Sequence, residues 1–140
     1  MAGWSLYVGS DGKPRYHYNW FGHEHSVAVS NTALEPGSHV VTVNHVYDGG
    51  FGAGGDSVLD IDGRAVGHVR IERSVPVVFS ISGETFDIGL DSGAPVGQYP
   101  HIYRFTGEIV GVTLERLSEP SPEVTALIAD GEFRASLAVQ

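Results

Sequence analysis

The chain has 140 residues, eight Lys+Arg against 17 Asp+Glu for a formal charge of −9, and no cysteine. Its length suits one domain, and surface scaling buries about two thirds of the unfolded area, a core that needs no covalent staple. The missing cysteine excludes disulfides, thiolate metal sites, Cys nucleophiles and iron–sulfur clusters, and a chain this acidic, with Lys13 its only lysine, is a poor match for nucleic-acid phosphates.

No window approaches the roughly 18 consecutive apolar residues of a membrane span, and Met1 to Tyr7 carries no basic region ahead of an apolar run. The expectation is a soluble chain without a targeting signal, cytoplasmic by default. Strand-like residues starting at Gly3 would also suit a module cut from a longer exported protein. Nineteen glycines, about twice ordinary usage, favour a turn-rich all-β domain.

Period-two alternation recurs between turn signals along the chain. Trp4, Leu6 and Val8 share one face of a first strand. Asp11-Gly12 turns it into Arg15 to Trp20, where Tyr16, Tyr18 and Trp20 alternate with Arg15, His17 and Asn19. His25 to Ser30 reads as a third strand and His39 to Tyr47, rich in β-branched residues, as a fourth. Ser57 to Asp60 and Ala65 to Arg70 flank Asp62-Gly63, the strongest hairpin signal in the chain. Val77 to Ile81, Thr85 to Gly89 and Tyr103 to Leu117 complete nine or ten strands. That number is enough for two stacked sheets, an antiparallel sandwich over residues 1–117. Residues 118–140 differ in kind. Ser121-Pro122-Glu123 has the form of a helix start, and Pro122 to Ala129 is expected to be a short helix, in a tail that packs on the sandwich or leads to a partner.

Most catalytic motifs fail on their context. Gly50-Phe51-Gly52-Ala53-Gly54-Gly55 fits a dinucleotide fingerprint, but Ser57 to Asp60 reads as strand where a helix N-terminus is required. There is no phosphate loop and no nucleophile elbow. Asp60 and Asp62 share a strand face but lack an opposing acid for glycoside hydrolysis, so a polar hairpin tip is the simpler reading.

Three sets of residues keep a functional reading. His23 and His25 point the same way on a strand, and His17 could join them across the turn as a third zinc ligand; chance clustering of surface histidines is the competing account. Asp48, Asp56, Asp87 and Asp91 border glycine-rich loops in which carbonyl oxygens could complete a calcium shell, although loop aspartates more often cap turns. Phe51, Tyr99 and Tyr103, with Asp48 and His101 beside them, offer flat rings and hydrogen-bonding groups for a sugar, against a role as plugs for the ends of the sandwich; Trp20 and Tyr47 lean towards the core.

Several segments together resemble the C-terminal β-sandwich module of bacterial arylsulfatase-like sulfatases. They are Gly3 to Tyr7, Tyr18 to Gly22, Tyr47 to Gly50 with Gly52 and Gly54-Gly55, Asp62-Gly63, Phe86 to Val96 and Phe105 to Ile109. The resemblance implies a concanavalin-like or laminin-G-like jelly roll packed beside a catalytic domain. It implies no catalysis, because such enzymes carry their formylglycine motif and metal site in another domain. The string closest to that motif here, Ser118-Glu119-Pro120-Ser121-Pro122, has Pro where Arg is needed.

The first expectation is therefore a non-enzymatic accessory module that docks on a sulfatase-type catalytic domain or associates with itself, with no required cofactor. The second is an autonomous carbohydrate-binding module, assisted by calcium or not. Its acidity disfavours sulfated or uronic-acid polymers unless an Arg pair such as Arg70 and Arg104 is local. A third, enzymatic reading depends on zinc at His17, His23 and His25.

Overall fold

A computed structural model describes residues 2–76 and 86–117, and within the tail Pro122, Thr125, Ala126, Ala129 and Asp130. Eight strands lie among them: β1 Gly3–Val8, β2 Pro14–Trp20, β3 Glu24–Val29, β4 Val41–Tyr47, β5 Ala53–Ile61, β6 Arg64–Arg73, β7 Leu90–Asp91 and β8 Tyr103–Arg104. They form two antiparallel meanders, β1-β2-β3 and β4-β5-β6, and a short β7-β8 ladder. Among the described residues the structure is mostly antiparallel β-sheet with little helix, as composition and alternation lead one to expect.

Turn chemistry sets both meanders. Asp62 and Gly63, at φ 53° and 81°, make the two-residue link between β5 and β6, the primed turn whose twist matches paired strands. Between β1 and β2, the carboxylate of Asp11 accepts from the Lys13 amide at 3.1 Å and grips Arg15 through both oxygens at 2.7 Å. Near the second hairpin the register slips: Leu59 faces Gly67 while Asp60 faces Ala65, so Val66 is the extra residue of a bulge. Val66 is thereby turned into the core.

Alternation puts Tyr16, Tyr18 and Ala28 of the first meander against Leu59, Val66 and Ile71 of the second, with Trp20, Val41, Val43 and Val69 packed around them. The two buried tyrosines bring polar tips. Tyr16 reaches Ser57 and Tyr18 accepts from the Val75 amide at 2.7 Å, so neither hydroxyl is stranded. The meanders touch backbone to backbone at β3 and β6. The Asn31 amide donates to the Val66 carbonyl at 2.8 Å, and a Cβ on Gly67 would stand 2.9 Å from the Val29 carbonyl oxygen.

Several expected elements differ. Ala53, Gly54 and Gly55 belong to β5, which starts earlier than Ser57 because two of those glycines allow close approach to neighbouring carbonyls. Val77 to Ile81 and Thr85 lie outside the described residues, and Phe86 to Gly89 is not strand. The long strand expected over Tyr103 to Leu117 shrinks to Tyr103–Arg104. A strand exists only by pairing, and among the described residues no neighbour hydrogen-bonds to 106–117 as a ladder. The five described tail residues are helical, and the rest of the expected Pro122 to Ala129 helix lies outside the described residues.

Gly67→Ala should lower stability by about 1 to 3 kcal/mol in urea unfolding, because the obstructing atom is backbone and cannot rotate away. A variant as stable as the parent would show that the meanders do not meet there.

Candidate functional site

Strand β2 is covered on both faces. Its apolar face makes the core, while its polar face, with His17 and Asn19, is buried as well, at 1% and 6% exposure. The cover is the segment from Asp91 to Tyr103. Asn19 donates to the Val96 carbonyl at 3.3 Å, and Gly97 lies over His17 so closely that a Cβ there would sit 3.0 Å from Nδ1 of His17 and 2.8 Å from the Tyr99 ring.

Tyr7, Tyr99 and Tyr103 converge beside this cover. Tyr7 meets Tyr99 edge-on at 4.6 Å and Tyr103 edge-on at 6.2 Å, while Tyr99 and Tyr103 stack at 5.0 Å. These contacts are the offset and perpendicular arrangements that ring quadrupoles prefer. Each hydroxyl has a partner. Tyr99 donates to Asp91 at 2.5 Å, Tyr103 donates to the Val8 carbonyl at 2.8 Å, and the Gln98 amide reaches Tyr7. Burial, reinforced by the bond to Asp91, pushes the Tyr99 phenol up to about 12. The cluster borders a cavity of about 440 Å³ whose lining also includes Ser10, Arg15 and Gln98.

The histidines part company. His17 Nε2 and His25 Nδ1 lie 2.6 Å apart across β2 and β3, one hydrogen between them, so one ring donates and the other accepts. His23 instead packs against Trp20 at 6.1 Å, in the turn after β2. The expected set of His17, His23 and His25 does not assemble, because the turn at Phe21-Gly22 carries His23 away from the β2–β3 face. Two nitrogens on one tetrahedral zinc stand about 3.3 Å apart, so even His17 and His25 would have to separate to share a metal. Burial, then the neighbouring His25, drives the His17 imidazole down to about 4, and its Nδ1 has no hydrogen-bond partner.

The aspartates of the expected calcium shell are dispersed. Arg70 donates to Asp48 and, at 3.0 Å, to Asp56, and His68 lies 3.1 Å from the other Asp56 oxygen. A guanidinium thus stands between the two carboxylates where a cation would sit. Asp91 is committed elsewhere, to Tyr99 and to the Gly93 amide, and Asp87 takes both the amide and the hydroxyl of Ser92. Among the described residues no three His, Asp or Glu side chains converge as a metal site.

Of the sugar-contact candidates, the cleft includes Tyr99 and Tyr103 but not Phe51, Asp48 or His101. Phe51 projects from the β4–β5 loop, 85% exposed, and His101 is exposed on the cover segment. Asp60 and Asp62 also separate. Asp60 is buried and accepts from Asn44 at 2.8 Å, while Asp62 holds the Val40 amide and His39. Tyr7 and Arg15 were missed as site residues, although their facing positions on the first hairpin made a shared face readable from the sequence.

A second cavity, of about 350 Å³, lies at the turn end of the β5–β6 hairpin, with His39 and Arg64 in its lining. Both His39 nitrogens face oxygens, Asp62 at 2.7 Å and the Glu35 carbonyl at 2.8 Å. Two oxygen acceptors favour the doubly protonated imidazolium, and the carboxylate of Asp62 holds the His39 pKa above its ordinary value.

Comparison with known proteins finds no match: no family model, no curated protein and no solved structure matches the chain. No helix among the described residues is long and apolar enough to cross a membrane.

Two titrations of opposite sign follow. The His17 pKa is depressed, so its neutral burial is fully favourable above the unfolded value near 6.5 and is lost as pH falls towards 4, a decline on the order of 2 to 3 kcal/mol. His17→Phe should flatten the acid limb of a stability–pH curve measured by urea unfolding; an unchanged limb would place the lost protons elsewhere. The His39 pKa is raised and that of Asp62 lowered, so their pair contributes most between the unfolded values of about 4 and 6.5, fading above as His39 deprotonates and below as Asp62 protonates. Asp62→Asn should therefore cost more stability at pH 5.5 than at pH 9, and equal losses would mean that the carboxylate acts only as a turn acceptor.

Proposed function

We propose that this chain is a non-catalytic accessory module of the sulfatase C-terminal type, its two meanders being halves of a two-sheet jelly-roll sandwich, and that it works by docking on a catalytic domain. The observation that carries the reading is the segment following β8. Ile109, Val110, Val112, Leu114 and Leu117 are 41% to 94% exposed, on a stretch with the alternation of a strand. Isolated apolar side chains are ordinary on a protein surface, but a continuous exposed run of this kind marks an interaction surface. Its neighbours point the same way, since Phe86, Ile88 and Ile102 are each more than half exposed.

The shape of the segment suits the role. A run whose backbone joins no ladder among the described residues can add to another sheet by main-chain hydrogen bonds, while alternate side chains enter apolar pockets. Residues Phe86 to Val96, the part of the chain with the strongest likeness to the sulfatase module, include two of these exposed apolar side chains and lead into the cover over β2.

A second reading, carbohydrate binding, has its own support in the tyrosine cleft. The two are compatible in one accessory module, where one surface docks and the other contacts a glycan.

Without a catalytic domain, the exposed run should seek its own kind. Sedimentation velocity across a rising concentration series should show self-association, and the double variant Val110→Asp, Leu114→Asp should stay monomeric with an unchanged melting temperature. A parent chain that remains strictly monomeric at high concentration overturns the docking reading.

A further inference from the structure

We infer that the cleft of Tyr7, Tyr99 and Tyr103 binds a neutral pyranose, in preference to an anionic or a cationic ligand. The inference rests on the carbohydrate-binding reading and assigns that reading its place and its ligand class.

The cavity, about 440 Å³, stands at the small end of the roughly 300 to 1,000 Å³ range of small-molecule sites, room for one or two rings and not for a long chain. Its walls are aromatic, and because every tyrosine hydroxyl is already bonded within the protein, the rings present carbon surface to a guest. A pyranose has such a surface in the axial C–H groups of one face. Its equatorial hydroxyls then lie at the rim, within the reach of short polar side chains, and the cleft supplies these in the exposed Ser10 and Gln98.

The charges in the cleft choose among ligands. Arg15 is the cation in its lining, yet both its terminal nitrogens are held by the two oxygens of Asp11 at 2.7 Å, and one also meets the Lys13 carbonyl at 3.2 Å. The Asp11 carboxyl lies well below the usual carboxylate range because of that guanidinium, so it is ionised at neutral pH and offsets the charge of Arg15 at the floor. A sulfate or carboxylate would have to displace Asp11, and would approach a chain of formal charge −9. A methylated ammonium is excluded on geometry. An aromatic cage needs several ring faces open around one cation, whereas Tyr99 and Tyr103 spend a face each on their mutual stack at 5.0 Å and Tyr7 meets both edge-on; a pyranose needs one open face only.

The loop is held in a costly shape. Ile102 adopts φ 59°, a left-handed conformation that a β-branched residue rarely enters, at the position just before Tyr103. Strain of that order, about 1 to 3 kcal/mol, persists where surrounding contacts dictate it, and here the contacts are the β7–β8 ladder and the bond from Tyr103 to Val8. The sequence thus maintains Tyr103 in the wall against a local preference.

The test is a titration of the full chain, followed by NMR shifts of the backbone amides, with methyl glucoside, methyl galactoside, glucose 6-sulfate, glucuronic acid and choline chloride. One of the neutral glycosides should bind at least tenfold more tightly than every charged probe. Gln98→Trp, which adds bulk at an exposed lining position, should weaken that binding at least tenfold with an unchanged melting temperature; Ser10→Tyr, from the turn between β1 and β2, does the same if the first variant folds poorly. Phe51→Ala should leave it unaltered. Neutral binding that survives both cleft variants overturns the cleft while sparing the carbohydrate reading, and a preference for the sulfated, acidic or cationic probe overturns the ligand class. No binding of any sugar overturns the inference and the carbohydrate reading together.

Discussion

The burial of both faces of β2 is the constraint on which the rest depends. A strand covered on two sides ordinarily carries apolar residues throughout, because an unpaired polar group away from water costs about 1 to 3 kcal/mol. Here one face holds Tyr16 and Tyr18 and the other His17 and Asn19. The polar face is tolerable only because partners are brought to it: His25 from β3, and the Val96 carbonyl from the cover. The cover in turn must approach closely, which is why Gly97, with no side chain, lies above His17. One nitrogen, Nδ1 of His17, stays without a partner, and it is the place where the arrangement is weakest against acid.

The same cover creates the cleft. Once Gly97 is seated on His17, Gln98 and Tyr99 must pass over Tyr7, and the stack of Tyr99 on Tyr103 closes the loop back to β8. Asp91 anchors the far end through Tyr99. The cleft is thus a by-product of how the polar face of β2 is sheltered, and its neutrality has the same local origin, since Arg15 is the cross-strand neighbour of Tyr7 and is quenched by Asp11 in the turn that joins their strands. On the other meander the pattern repeats with different residues. Arg70 is taken up by Asp48 and Asp56, and Arg73 by Glu24 while it also lies 4.2 Å over the Trp20 ring. Three of the eight Lys and Arg side chains are neutralised in this way, each by carboxylates of its own neighbourhood.

How much of this was legible in the sequence depended on the range of the interactions. The alternation of Tyr16, Tyr18 and Trp20 with His17 and Asn19 is a local pattern and predicted β2 and its core face. Asp62-Gly63 likewise announced its own hairpin. The histidine and aspartate clusters were read from spacing along the chain, and spacing is blind to tertiary partners: nothing near Asp48 in sequence reveals that Arg70 will lie against it. Tyr99 and Tyr103 were singled out as rings at loop positions and do line the cleft, whereas Phe51, chosen on the same ground, stands apart because its loop belongs to the other meander. The bulge at Val66 and the early start of β5 were illegible for a related reason. Both are set by how closely two backbones approach, a property that a one-dimensional pattern does not carry.

The apolar run and the tyrosine cleft are not independent surfaces. Tyr103 and Arg104 are the whole of β8, and the chain passes from the wall of the cleft to Phe105, whose amide donates to the Gly89 carbonyl at 2.9 Å, and then directly into the exposed run. Gly89 leads into β7, which carries Asp91, the anchor of Tyr99. Anything that orders residues 105–117 by pairing with them therefore pulls on a two-residue ladder that also fixes two walls of the cleft. A ladder of that length has little cooperativity of its own, and its geometry follows what its flanks do. On this physical ground a change in the geometry of residues 105–117 is felt at the wall of the cleft, and the strained Ile102 lies between the two.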